Sequence, residues 1–214
     1  MNITDTMTDT LHLVSQGILY PVIIGLILLV IASVAMIGSI IAEGFGERRR
    51  LRENIPFLIS TLHETALEDM EGVIRDSKLL KRQKLTLLEL FSYRDLPADE
   101  LRSVAKKLIS KEESHYDRIL SWTEMISKIG PILGLMGTLI PLGPGITALG
   151  QGDITTLSNS IMVAFDTTVV GLLSAVICMI ITKIRRRWYE SYMVSIESTM
   201  ECILEEVATL EHTA

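Results

Sequence analysis

Apolar residues come in three long blocks along the chain, separated by stretches rich in charge. Residues 18–42 run for 25 positions without a charged side chain. At about 1.5 Å of rise per residue, that length crosses a hydrocarbon layer about 30 Å thick. It predicts a first transmembrane helix. The second block, residues 125–149, is free of charge from Ile129 onward but repeats Gly and Pro, "IGPILGLMGTLIPLGPGITAL". Those residues would suit a loop in a soluble protein, whereas so apolar a segment fits a membrane helix packed against other helices. A hinge or kink is expected at Pro141 and Pro144, or a helix end near the "GPG" of Gly143–Gly145. The third block, residues 159–184, is closed by "KIRRRWY", which reads as a basic and aromatic interface anchor.

The charged stretches have helical rather than strand periodicity. In residues 43–124, Leu101, Val104, Ala105, Leu108 and Ile109 recur on one helical face. The run "RDLPADEL" places Pro97 and acids where helices start. From there to Gly130 no Gly or Pro intervenes, so one helix is expected to continue from this region into the second span. In residues 185–214, Tyr189, Met193, Ile196, Met200, Ile203, Val207 and Leu210 alternate spacings of four and three, a heptad seam. Such a seam serves either to pack onto the middle helices or to self-associate.

Composition narrows the class. The chain of 214 residues is 48% hydrophobic and 21% charged, and only 5% aromatic. Segregated apolar and charged blocks with few aromatics favour helices over an aromatic-girdled barrel. The fold class is an all-α membrane protein with three transmembrane helices and long helices extending into the cytoplasm. All 20 Lys and Arg residues lie in 48–128 or 183–187. By the positive-inside rule this sets the N-terminus outside and the C-terminus inside. The expected order is an outer segment 1–17, span one 18–42, a cytoplasmic helical loop 43–124, and span two 125–149. An outer connection 150–158, span three 159–184 and a cytoplasmic helix 185–214 complete it. The location is the cytoplasmic membrane, multi-pass. The first 17 residues lack the basic start and cleavage site of a signal peptide. Cys178 and Cys202 have no metal-ligand spacing and read as small apolar residues. "HETALE" at His63–Glu68 lacks the second histidine of a zinc helix and reads as surface helix. No cofactor, metal or nucleic-acid partner is implied. The runs Arg48–Arg50 and Arg185–Arg187 suit lipid headgroups.

Small residues form stripes in the last two spans: Gly130, Gly134, Gly137, Pro141 and Gly145 in one, and Ala164, Thr168, Gly171, Ala175 and Cys178 in the other. These let helix backbones approach closely. Packing does not explain Asp166, Thr167 and Thr168, because a membrane carboxyl needs a polar partner or water. "PILGLMGTLIPL" followed by "SNSIMVAFDTTVVGLLSAVI" resembles the last two membrane helices of the MotA/TolQ/ExbB proton-channel family. The shared marks are "GLxGT" and a threonine preceding "xxGL", and the inferred topology resembles the family's throughout. The resemblance implies that Thr138 and Thr168 match the family's two channel threonines. It also implies a homopentamer enclosing a dimer of a single-span partner of the ExbD, TolR or MotB kind. Ion flow through such a motor complex would drive protein transport or envelope work.

One position departs from the family. Where the TolQ and ExbB branches carry a glutamate, five residues before the span-three threonine, this chain has Val163. The acid is instead Asp166, about 160° around the helix from Thr168 at 100° per residue. It acts in the ion path, serves as a fixed partner for a polar group on a neighbouring subunit, or snorkels toward the outer surface. Thr138, Thr167, Thr168 and Asp166 are therefore the candidate ion-pathway residues, with H⁺ and Na⁺ both open. A non-conducting scaffold or sensor acting through the cytoplasmic helices is the competing function. An enzyme is not expected: the sequence holds no nucleotide loop, metal constellation or catalytic triad.

Overall fold

The computed structural model describes residues 3–46, 55–65 and 69–213. The basic run Arg48–Arg50 and the Ala66–Glu68 part of "HETALE" lie outside them. The described residues form six helices and no strand: α1 (Ile3–Gly46), α2 (Ile55–Glu64), α3 (Met70–Asp76), α4 (Lys81–Phe91), α5 (Ala98–Gly150) and α6 (Ile154–Thr213). Helices α1, α5 and α6 are long and apolar enough to cross a membrane. The all-α, three-span class read from the sequence is the one observed.

Helix α5 starts where the sequence signals it, with Pro97 O accepting from Leu101 N–H. It does not end at "GPG". It passes through Pro131, Pro141 and Pro144 to Gly150. Pro141 has no N–H to give to the carbonyl of Gly137 four residues back, a loss that packed membrane helices accommodate. The link from α5 to α6 contracts to Gln151–Asp153. Gly152 supplies the left-handed φ of 79° there, at no steric cost to glycine. Asp153 then caps α6, accepting from the N–H and the hydroxyl of Thr156. These bonds hold its carboxyl below the usual carboxylate range. The stretch 154–158 is therefore helix rather than connection.

The chain divides into two compact units, residues 1–38 with 121–183, and residues 39–120 with 184–214. In the first, α5 and α6 meet along their small residues. A Cβ on Gly171 would lie 2.6 Å from Gly130 O, and one on Gly130 would lie 2.7 Å from Gly171 O. Helix α1 is held by a sparse stripe in which Val22, Leu26 and Ser33 are buried, while Ile24, Leu28, Ile31 and Val34 are exposed. An apolar outer face of this kind suits lipid.

The second unit has a conventional apolar core. Leu62, Met70, Ile74, Leu87, Leu90 and Phe91 of α2–α4 pack with Leu101, Ala105 and Leu108 of α5. Ile196, Met200, Ile203 and Val207 of α6 complete it. The heptad seam is thus consumed by packing onto the middle helices, and its apolar positions from Ile196 to Val207 are not left for self-association. Further along, Tyr189 stacks on Tyr116 with ring centroids 4.5 Å apart. Gln83, fully buried, donates to Tyr192 O and accepts from the Leu80 N–H. Cys202 lies in this core and Cys178 is buried among the spans; both are free thiols.

Candidate functional site

The α5–α6 seam carries the predicted polar residues. Thr167 is buried directly against Gly137, where an added Cβ would lie 2.6 Å from the threonine Cβ and Oγ1. Gly134 approaches the backbone of Thr167 and Thr168 within 3.4–3.6 Å of its notional Cβ. The five packing residues Gly130, Gly134, Gly137, Gly171 and Ala175 all occur in these close approaches. Their smallness sets how near the two helices come.

Helix α1 covers one side of this seam. Ile23, Leu26, Ile27, Val30 and Ile31 form with Asp166, Thr167 and Val170 a groove of about 280 Å³. A Cβ on Gly25 would lie 3.2 Å from Leu133 on α5. At 100° per residue, Asp166 and Val170 both lie about 160° from Thr168, and Leu133 lies about 140° from Thr138. The two family-type threonines therefore flank the seam on the side away from α1, each half-buried. Asp166 is exposed and sits on α1's side. The structure brings Thr138 and Thr168 to one flank, places Thr167 within the seam, and sets Asp166 apart from both.

The three hydroxyls share a hydrogen-bond pattern. Thr138 donates to Leu135 O at 2.7 Å, Thr168 to Ala164 O at 3.0 Å, and Thr167 to the carbonyls of Val163 and Ala164. Each hydroxyl proton is thus committed to its own helix, which leaves the oxygen lone pairs as acceptors. Acceptors on an otherwise apolar wall suit a cation or the protons of water.

In the second unit the structure adds an ionic cluster that the sequence pattern concealed. Arg185 was expected to anchor at the interface with Arg186 and Arg187. Instead it is buried, with its Nε 3.1 Å from Glu43 Oε2 and a further bond to Ser39 Oγ. The helical turn of 100° per residue carries Arg185 inward while its two neighbours stay exposed. Arg82 forks onto the buried Glu112 through Nε and Nη2. Ser39, Glu43, Arg82 and Arg185, with His115 and Tyr189, line a cavity of about 530 Å³. Burial, then the Arg82 charge, lowers the His115 pKa; burial and Glu43 push the Tyr189 phenol up. Only a pairing of charges distant in sequence identifies such a cluster, and no local motif marks it. No group of three or more His, Cys, Asp or Glu side chains positioned to hold a metal occurs among the described residues.

Fold and seam together define a multi-pass helical membrane protein whose last two spans close tightly around a threonine-bearing contact. The chain belongs to the MotA/TolQ/ExbB proton channel family, whose model matches residues 73–198. It is also 28% identical over 163 residues to a protein of Methanothermobacter thermautotrophicus named as a biopolymer transport protein ExbB homolog. That alignment covers 72% of this chain and 57% of the relative, so the chain spans a little over half the relative's length. The family match contains both close-packed small-residue stripes, Thr138, Thr167, Thr168 and Asp166.

Proposed function

We propose that copies of this chain assemble, as a homopentamer, into a cation-conducting subunit of an ion-motive-force-driven complex. In it Thr138 and Thr168 line the path, and the passing ion drives movement of a single-span partner dimer. The observation that carries this reading is the placement of the two threonines on one flank of the α5–α6 seam, lone pairs uncommitted, opposite the covering helix α1. One elementary charge crossing 100 mV releases about 2.3 kcal/mol, enough to bias a subunit movement at each step. The proposed orientation is N-terminus outside and C-terminus inside the cytoplasmic membrane, with channel rather than enzymatic chemistry.

Asp166 enters this reading as a partner for a polar group outside the path, because it lies across the helix from Thr168. The test measures ion-driven work by the complex, together with ion flux in vesicles. Thr168→Ala is expected to abolish both while the oligomer stays intact, Thr168→Ser to retain a substantial part, and Asp166→Asn to retain work. Unchanged flux in both Thr138→Ala and Thr168→Ala would remove the threonines from the path and leave the scaffold reading.

A further inference from the structure

In the second unit, α5 and α6 leave a groove of about 360 Å³ between them on the surface. Its rim carries Glu113 and Asp117 of α5 and Glu190 and Glu197 of α6, all exposed, against a single exposed arginine, Arg186. Met193 and Val194 also line it. Val194 is 61% exposed, an aliphatic side chain presented to solvent among acids.

Between residues 107 and 118 the other flank of α5 is basic, whereas nearer the start of the helix Arg102 and Lys106 share the acidic side and Glu100 the basic side. Lys107, Lys111 and Arg118 are exposed and fall within about 40° of one another at 100° per residue. Lys111 also reaches Glu89 of α4 at 3.3 Å while remaining 60% exposed. One turn before Glu89 on the same face of α4 stands Leu85, 67% exposed. One flank thus offers bases around an exposed leucine, and the other offers acids around an exposed valine and a half-buried methionine.

We infer that the acid-rimmed groove of one copy receives the basic flank of the next. This rests on the oligomer reading above and names the surfaces that make the contact. Two features favour a second copy as the occupant. First, the matching charges stand within about 3 Å of one height on the helix, Lys111 two residues before Glu113 and Arg118 one residue after Asp117. Rotation about an axis parallel to α5 brings them together with little axial slip, as a closed head-to-tail ring requires. Second, the mean directions of the basic and acidic sets differ by about 120° around α5. A subunit in a closed ring sees its two neighbours at about 108° for five copies and about 120° for six, whereas a twofold dimer would place one patch against itself. Charge complementarity of this kind fixes register and excludes wrong partners.

The test is native mass spectrometry of the full chain in mild detergent. Lys111→Glu with Arg118→Glu, or Glu113→Lys with Asp117→Lys, is expected to lower the oligomer fraction about fivefold or more, since like charges then face each other. All four substitutions together are expected to restore it. A second measurement serves where a reversed variant fails to fold. Membranes isolated from cells co-expressing differently tagged Glu113→Cys and Lys111→Cys chains are oxidised with copper–phenanthroline, which takes the two electrons the cytoplasm would not, and a mixed disulfide dimer is expected that neither chain forms alone. An oligomeric wild type whose reversals change nothing, or whose mixed disulfide is absent, overturns the inference and leaves the oligomer standing. A monomeric wild type overturns both.

Discussion

At the scale of single residues, what the seam excludes matters as much as what it holds. Gly171 illustrates this: a Cβ there would lie 2.6 Å from Gly130 O and 3.0 Å from Gly134 Cα, contacts with backbone that no side-chain rotation relieves. Gly171→Ala is therefore expected to force α5 and α6 apart, at a cost of about 1–3 kcal/mol. Gly143→Ala, with nothing within 4 Å of the added atom, serves as the control. Thermal unfolding of the two purified variants checks this, with the midpoint falling by a few degrees or more for Gly171→Ala and staying near wild type for Gly143→Ala. The same closeness gives Thr167 and Thr168 different surroundings although they adjoin in sequence. One turns into Gly137 and fills the contact, and the other faces the flank with its lone pairs uncommitted. Sequence resemblance alone singles out Thr168, and the geometry supplies a physical reason for preferring it to its neighbour.

At the scale of helices, the Glu43–Arg185 pair ties the end of α1 to α6 within the second unit. Both side chains are largely removed from water, at 15% and 7% exposure. Removing one partner of such a pair leaves the other charge buried and uncompensated, so Glu43→Ala is expected to destabilise the protein by about 3–5 kcal/mol. Replacing both, Glu43→Leu with Arg185→Met, is expected to recover most of that loss, because two apolar side chains of similar volume need no hydration. Denaturant unfolding of the three proteins distinguishes a coupled ion pair from two independent packing residues. Equal losses in the single and the double variant would show that the two side chains act through packing alone. Helix α6 shows a second element-scale choice. Its heptad seam suits packing within the chain or between chains, and the structure spends it on α2–α5. In the proposed oligomer, contacts between copies would then use other surfaces, among them the charged flanks of α5.

At the scale of the whole molecule, the one-sided charge distribution predicts a definite topology. A cysteine introduced at Gln151, in the three-residue link, is expected to react with a membrane-impermeant maleimide on intact cells, whereas Ser103→Cys should react only after permeabilisation. The reverse pattern would invert the orientation. The native thiols do not interfere with this test: both are buried, and burial pushes the Cys202 thiol up to about 11. Its folded value lies above the unfolded 9.0, so its stabilising contribution is complete below about pH 9 and is lost as pH rises toward 11. Labelling at neutral pH therefore finds that group protonated and enclosed. The sequence by itself determined the three spans, the helical class and the close-packed stripes, because each is written in local composition and helical period. It also held the family marks at Thr138 and Thr168, which are contiguous motifs. Only the tertiary structure decided that Asp166 lies on the α1 side, that Arg185 turns inward to Glu43, and that α5 runs on past its "GPG". Which face of a helix meets a neighbour depends on residues more than a hundred positions away, and no local pattern encodes that choice.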